Sequence, residues 1–388
     1  MGCAAITLVL AGLSTPVSAQ SEQNPPPSSE DSRTEEVSGK VESLTEQVQT
    51  LNTDVGLLKR FKFSGYIQAR WETAENKVDT SSTTGATGNN ERFYIRRGRL
   101  KLTYDSSPLS QAVIYFDGGT DRIARLLEAY VTLLDPWTID HRHALTVGQM
   151  NVPFGYEIER SSSVRELPER SRAENVLFSG ERDRGVKIVS LWMPKVETTF
   201  GIFNGGGIND PVFPNTDPTK RKDWLARARV ILGTVDAAVS YYDGRGIVPV
   251  AGPGDVEVTR TRFGADAQVY YQLPNFGGGS LRAELYDGKN PNAASPRRAT
   301  DFLGWYAMLV QNLTDKIQAA ARYDTFDPNV DVDHDQFERV GLGLNYFYDG
   351  YTRITVSYDI PKTDVAAGGG TFRDPKDNLW TVQFQHKF

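Results

Sequence analysis

The chain has 388 residues, with 43 Lys and Arg against 49 Asp and Glu, for a formal net charge of −6. That balance excludes nucleic acid as the main partner. A single cysteine, Cys3, excludes a disulfide framework, and four histidines without ligand spacing exclude a His-rich metal centre. No metal and no cofactor is implied.

Mean hydropathy is −0.43, and no apolar run reaches the roughly 18 residues of a spanning helix. A transmembrane barrel stays open, because its strands alternate and their average hydropathy is unremarkable.

The first stretch, "MGCAAITLVLAGLSTPVSAQ", is an apolar run followed by the small residues Val17, Ser18 and Ala19. It predicts a signal peptide over 1–19. Residues 20–36 are rich in Pro, Ser and acid and read as a disordered linker. Val37, Val41, Leu44, Val48, Leu51, Val55 and Leu58 then recur at alternating spacings of four and three. This heptad pattern predicts a short periplasmic coiled coil over 37–59. A helix this short is marginal alone, so it calls for self-association or docking. Val at one core position with Leu at the other favours two strands. The alternative is a single amphipathic helix lying on its own domain.

From Phe61 the period becomes two. In "FKFSGYIQARWE", Phe63, Gly65, Ile67, Ala69 and Trp71 share one face. Lys62, Ser64, Tyr66, Gln68, Arg70 and Glu72 share the other. The pattern returns over 92–104, 110–118, 124–134, 143–152, 184–193, 196–205, 223–232, 234–243, 258–272, 279–287, 302–312, 316–325, 337–347, 352–359 and 378–388. With 61–72 that makes sixteen strands.

Short turns such as the one around Pro108, "MPK", "GT", "LTD" and "YDGY" alternate with long stretches at 73–91, 153–183, 204–222, 244–257, 288–301, 326–336 and 360–377. Short periplasmic turns and long outer loops are the pattern of a bacterial outer-membrane barrel. The predicted fold is therefore all-β: a sixteen-stranded antiparallel transmembrane β-barrel over 61–388, preceded by the coiled-coil helix. A closed barrel needs every strand paired, so the terminal "LWTVQFQHKF" should close against the first strand.

The apolar parity must face lipid, where Arg or Lys costs roughly 2–4 kcal/mol at mid-bilayer. The other parity lines a lumen. It carries Arg97, Arg99, Lys101, Arg227, Arg229, Arg262, Arg282, Arg322 and Arg353. Acids at that parity are fewer: Glu72, Asp117, Glu128, Asp266, Glu284 and Asp324. A wall of one sign selects the opposite ion, and Arg suits carboxylate or phosphate. The alternative is pairing of these charges across the barrel. The long loop 153–183 holds Arg160, Arg165, Arg170 and Arg172, the hydroxyls Ser161, Ser162 and Ser163, and Glu157, Glu159, Glu166 and Glu169. It is the natural segment to fold inward and narrow a sixteen-stranded pore, the alternative being a solvated surface loop.

Several stretches resemble the phosphate-selective porin O and P family: "RFYIRRGRLKL", "VIYFDGG", "LLEAYV", "GQMNVPFG", the Ser- and Arg-rich loop, "GERDRGVKI", "GIFNG", "ARYDTF" and "VQFQHKF". The resemblance implies a homotrimeric outer-membrane porin whose third loop forms an anion-binding constriction. By local match it implies Arg97, Asp117, Ser162, Ser163 and Arg170 at that constriction. The lumen and loop reading adds Arg99, Arg165, Arg227, Arg229, Arg262 and Arg322. Arg96 belongs to the same Arg pair, but its parity points it outward.

The family's site draws on lysine, and this loop has none between Val152 and Lys187. A general or dicarboxylate-type porin, with the coiled coil as a periplasmic tether to the cell wall, is the alternative. Expected partners are outer-membrane lipid, lipopolysaccharide and small anionic solutes. An enzyme is not expected. His141 and His143 fall in a short turn, His334 in a loop and His386 at lipid parity, so none can activate a lumen hydroxyl.

Overall fold

The computed structural model describes residues 29–75, 78–79, 88–89, 91–119, 124–208, 219–248, 256–291, 298–363, 365–368, 371–373 and 377–388. The expected signal peptide and the first part of the linker lie outside these. Two units are present, 1–59 and 60–388.

In the first unit, helix α1 runs Ser29–Leu58 and so starts within the stretch expected to be linker. Val41, Leu44, Val48, Leu51, Val55 and Leu58 are all exposed, an apolar stripe at heptad spacing.

The second unit is a closed antiparallel ring of sixteen strands. They are β1 Phe61–Ala74, β2 Arg92–Ser107, β3 Ser110–Asp117, β4 Arg125–Leu134, β5 His143–Asn151, β6 Arg182–Met193, β7 Val196–Phe203 and β8 Asp223–Leu232. Then follow β9 Val235–Val248, β10 Val256–Leu273, β11 Gly277–Pro291, β12 Ala299–Asn312, β13 Ile317–Asp327, β14 Phe337–Phe347, β15 Thr352–Thr363 and β16 Leu379–Lys387. Each strand pairs with its sequence neighbours, and β1 closes on β16 from Tyr66↔Lys387 to Ala74↔Leu379. Phe388 continues the seam: its N–H donates to the Gly65 carbonyl at 3.1 Å and its carbonyl accepts from Gly65 N at 2.9 Å. The strand thus uses its last backbone groups, as closure demands.

The lipid parity is as expected. Phe63, Ile67, Leu100, Ile114, Val147, Ile188, Phe200, Val239, Leu281, Leu309 and Phe384 are exposed on the outside. Aromatic pairs mark the rims, Trp224–Tyr241 and Tyr358–Trp380 at the long-loop end and Phe61–Tyr104 at the short-turn end. Such girdles sit where headgroups begin.

Two departures have clear physical causes. Strands β9, β10, β11 and β15 run further at the long-loop rim than alternation predicts. Outward positions there meet water, as with Arg245 and Glu257 at 3.8 Å, so the apolar signal stops before the hydrogen bonding does. The second departure is a β-bulge. Gln68 pairs with Arg97 and Ala69 with Ile95, so Arg96 is the extra residue. A bulge re-aims a side chain, and Arg96 reaches Glu169 of the long loop. The outward placement expected from parity is corrected.

Candidate functional site: the loop and the arginine wall

The loop between β5 and β6 is held against inward-facing strand groups on both sides of the ring. Glycine permits its entry. Gly155 sits at φ +65, and a Cβ there would collide with Glu284 Oε1. The Tyr156 N–H donates to that same oxygen at 2.9 Å. Phe154, Ile158, Leu167, Ala173, Leu177 and Phe178 then bury against Leu225, Tyr242, Tyr286, Phe302, Tyr306 and Phe326 of the wall. Phe154 packs where Gly264 has no side chain, since a Cβ there would come within 2.6 Å of its ring. Each buried apolar side chain contributes roughly 1.5–3 kcal/mol, so the loop is docked chiefly by this cluster. A short helix, α2 Arg172–Leu177, lies within it.

Carboxylates of the loop meet arginines of the wall. Glu169 accepts from Arg70 Nη1 at 2.6 Å and Arg96 Nε at 2.9 Å, and lies 3.5 Å from Arg97 Nη2. Burial pushes its carboxyl up, but Arg70, Arg97 and Arg96 outweigh that and hold it well below the usual carboxylate range. Glu166 accepts from Arg160 at 2.7 Å and from Arg282 on β11 at 3.0 Å. Glu157 accepts from Arg322 on β13 at 3.1 Å. Glu157, Glu166 and Glu169, unexplained by an anion site, are thus counter-ions for the wall.

Hydroxyls tie the loop to β1 and β2. Ser162 Oγ and Tyr66 Oη share a hydrogen bond of 2.5 Å, and Arg99 Nη1 donates to both, at 3.0 and 2.8 Å. Arg99 Nε donates to Asp117 at 2.9 Å. Gln68 donates to the Ser162 carbonyl at 3.1 Å and accepts from Arg97 at 2.9 Å. The Ser163 carbonyl accepts from Gln385 at 2.9 Å. Strand β2 stands across the ring from strands β10 and β11. A loop that touches Arg99 on β2 and Arg282 on β11 therefore crosses the lumen.

Of the expected site residues, Arg97, Arg99, Asp117 and Ser162 come together on the β1–β3 side, while Ser163 meets Gln385 of β16. Arg170 and Arg322 meet elsewhere, where Arg322 Nη2 donates to the Arg170 carbonyl at 3.1 Å. Arg227 and Arg229 are taken up by wall acids, Asp266 at 2.6 Å and Asp236 at 2.8 Å. Arg262 stands on the far wall, its guanidinium 4.3 Å over the Phe178 ring. Arg165 is buried at 6% exposure, and no carboxylate pairs with it among the described residues. Burial, with Arg170 beside it, lowers its guanidinium to about 9. Sequence reasoning missed the roles of Arg70, Arg96, Tyr66 and Gln68 in clamping the loop. Parity had placed Arg70, Tyr66 and Gln68 inward. Nothing local said what they face.

Inside the loop, Glu174 is fully buried with neither oxygen hydrogen-bonded. Arg170 Nε lies 3.6 Å away. Burial raises this carboxyl to about 7, against the pull of Arg170. No group of three or more His, Cys, Asp or Glu suited to a metal occurs among the described residues.

Comparison with known proteins agrees with this architecture. The anion-selective porin from Comamonas acidovorans aligns with a TM-score of 0.60 at 13% identity, covering 84% of this chain and 99% of that one. The outer-membrane channel DcaP of Acinetobacter baumannii aligns at 0.58 and 13%, covering 84% and 97%. OmpT of Vibrio cholerae in its trimer form aligns at 0.58 and 12%, covering 84% and 99%. No curated protein matches. Residues 67–211 match the model described as phosphate-selective porin O and P, and around them the whole barrel has the porin fold, which identifies a bacterial outer-membrane channel rather than an enzyme.

Proposed function

We propose that the protein is a passive, anion-preferring channel for small solutes, narrowed by loop 153–183. The carrying observation is how the charges are distributed. Glu157, Glu166 and Glu169 are each committed to wall arginines. Arg165, Arg262 and Arg353 are buried without a carboxylate partner within 4 Å among the described residues. An arginine without a counter-ion draws a mobile anion into the lumen. The Comamonas porin, described as anion-selective, is consistent with that reading.

Phosphate is the solute the family match favours, with dicarboxylates the alternative because lysine is missing from the loop. Expected contacts are Arg97, Arg99, Ser162, Ser163 and Arg165. A homotrimer follows by analogy with the Vibrio protein, described in a trimer form. The exposed apolar stripe of α1 supports self-association of that helix, with cell-wall contact as its periplasmic role. Outer-membrane lipid and lipopolysaccharide would surround the barrel.

The test is a planar-bilayer measurement of zero-current potential across a KCl gradient, followed by titration with phosphate and succinate. Anion selectivity with phosphate block supports a phosphate channel. Block by succinate alone points to a carboxylate channel. Cation selectivity refutes the reading.

A further inference from the structure

The outer face of the barrel carries a hollow that the channel does not use. It has a volume of about 500 Å³ and lies across β10–β13 and the edge of β14. Ala267, Ala283 and Ala307 stand in direct register on β10, β11 and β12. With Ala321 of β13 they form its floor. Val269, Leu281 and Leu309 make a second registered row along one side. Leu285 and Trp305, a pair on β11 and β12, make the opposite side. Tyr323 and its partner Val340 close one end. At the usual spacing between strands the floor runs about 14 Å.

These positions belong to the lipid parity. Val269, Leu281, Leu285, Trp305 and Leu309 are exposed on the outside. Arg282 and Arg322 also border the hollow, but their guanidiniums reach Glu166 and Glu157 of the loop in the lumen. What faces outward is apolar. A hollow in a hydrocarbon-facing wall forfeits dispersion contacts unless something slender fills it. A second barrel fits this poorly. A stable interface needs about 1,200–2,000 Å² of matched surface, and among the described residues no outward charge borders the hollow to orient a partner. A lipid chain is slender and apolar, and hydrocarbon is already the medium against this face.

The height of the hollow selects the leaflet. Val269 and Leu309 lie near the short-turn ends of β10 (Val256–Leu273) and β12 (Ala299–Asn312), which is the periplasmic side of such a barrel. That leaflet of a bacterial outer membrane is phospholipid. Interfacial groups stand below the hollow. The Tyr271 ring lies over Gly279, where a Cβ would come within 2.5 Å of it. Lys316, in the turn from β12 to β13, is exposed. Tyrosine sits at headgroup level, and lysine extends its ammonium to the interface.

We propose that this hollow binds a single acyl chain of a phospholipid from the periplasmic leaflet, with the headgroup phosphate held at Lys316 and Tyr271. The same stretch of wall turns Arg282, Glu284 and Arg322 inward to the docked loop. A bound chain therefore backs the strands that carry the loop. The site lies outside the permeation path and stands whether or not the channel prefers anions.

The test counts bound lipid. The full chain is refolded in detergent with palmitoyl-oleoyl phosphatidylethanolamine or, separately, with lipopolysaccharide, and native mass spectrometry reads what stays bound. The wild type should retain a single phospholipid per chain. Ala283→Leu, Ala307→Leu fills the floor and should lower the lipid-bound fraction by about tenfold or more. The same exchanges at Ala112 and Ala129, outward positions on β3 and β4, should leave it unchanged. A wild type that retains no phospholipid overturns the proposal, as does a filled variant that retains it fully. Retention of lipopolysaccharide in preference to the phospholipid overturns the leaflet and the site with it. A filled variant that loses its oligomer on gels, beside a lipid-free wild type, seats a second copy in the hollow instead.

A filled variant that does not fold is replaced by a measurement at Trp305, whose ring lies 5.3 Å from that of Tyr323. Wild type and Trp305→Phe are titrated in detergent with the same phospholipid brominated on its oleoyl chain. The emission that Trp305→Phe lacks should be quenched saturably, at a single lipid per chain. Quenching that climbs without saturating, or that spares this emission, overturns the site.

Discussion

The Glu169 carboxylate accepts a 2.6 Å hydrogen bond from Arg70, 99 residues away in sequence, and shares the same oxygen with Arg96. Three strand arginines thus converge on one loop acid, with Arg97 at 3.5 Å. The arrangement leaves more positive than negative charge at that point of the wall, and it makes Glu169 the polar latch of the loop.

Removing the latch should loosen the loop and unmask the wall. Glu169→Gln leaves Arg96 and Arg97 short of a counter-ion and Arg70 with Glu72 alone, at 3.4 Å. Breaking charged hydrogen bonds of this kind costs about 1.5–3 kcal/mol each when buried, and less for this partly exposed carboxylate. The variant should show higher single-channel conductance and a zero-current potential moved further toward anions. Trypsin should cut it within 153–183, at arginines that the docked loop protects. Unchanged conductance and unchanged trypsin resistance would show that the apolar cluster alone holds the loop.

A second variant attacks the loop through its backbone. Gly155→Ala places a methyl at φ +65, a left-handed conformation that costs an L-residue roughly 1–2 kcal/mol. It also drives that methyl into Glu284, whose oxygens accept from the backbone of Tyr156 and Glu157. The loop entry must shift, and trypsin susceptibility should rise while the barrel keeps its strand circular dichroism. A variant as trypsin-resistant as the wild type would mean the entry turn does not set the docking.

The barrel itself was legible because its two physical demands are written locally. Lipid requires apolar residues at every second position, and closure requires an even set of paired strands. All sixteen strands followed from that period, and their inward sets with them except at the bulge around Arg96. What the loop does was not legible, since docking is a long-range matter. Arg282 reads as inward from "LRAELY", but nothing near it names Glu166 as its partner. Arg96 reads as outward because period two has no way to register a bulge. Even so, a signal was present. Gly264, Tyr242, Tyr286 and Tyr306 occupy inward positions on neighbouring strands, and glycine beside aromatic residues on a lumen wall marks a surface prepared for packing.

Two arginines assigned to the lumen by the same parity argument should behave differently. Arg227 is bound to Asp266 at 2.6 Å, with both side chains buried. Arg227→Gln strands that carboxylate and should cost about 3–5 kcal/mol, lowering the midpoint of heat-induced gel-mobility change. Arg165 has no such partner. Arg165→Gln should leave that midpoint equal or higher, yet move the zero-current potential toward zero. Equal destabilisation by the two substitutions would remove the distinction between wall charges that hold the fold and charges offered to the solute.

The last prediction concerns pH and Glu174. This carboxyl is raised to about 7 by burial, against the pull of Arg170, while an unfolded glutamate titrates near about 4.3. The folded state therefore holds a proton that the unfolded state has lost between those two values. Stability falls where the folded state binds more protons, so it should decline as pH rises from about 4.3 to about 7 and level off above that. The full contribution is at most about 3–4 kcal/mol at 1.36 kcal/mol per pH unit. Glu169 acts with the opposite sign. Its carboxyl is held well below the ordinary range, so its contribution is present above about pH 4.3 and is lost only as pH falls through its lower folded value.

The two effects separate cleanly on a pH axis. Glu174→Met removes a carboxyl whose oxygens have no hydrogen-bond donor and keeps a side chain of similar length. It should flatten the profile between about pH 4.3 and 7 and raise stability at neutral pH, while leaving the acid limb below about pH 4 in place. Thermal unfolding of wild type and variant, followed by gel mobility at closely spaced pH values, checks this. A variant that keeps the wild-type decline between about pH 4.3 and 7 would place the responsible proton on another group. An acid limb that disappears with Glu174 would mean that the Glu169 latch and the buried carboxyl titrate as one unit.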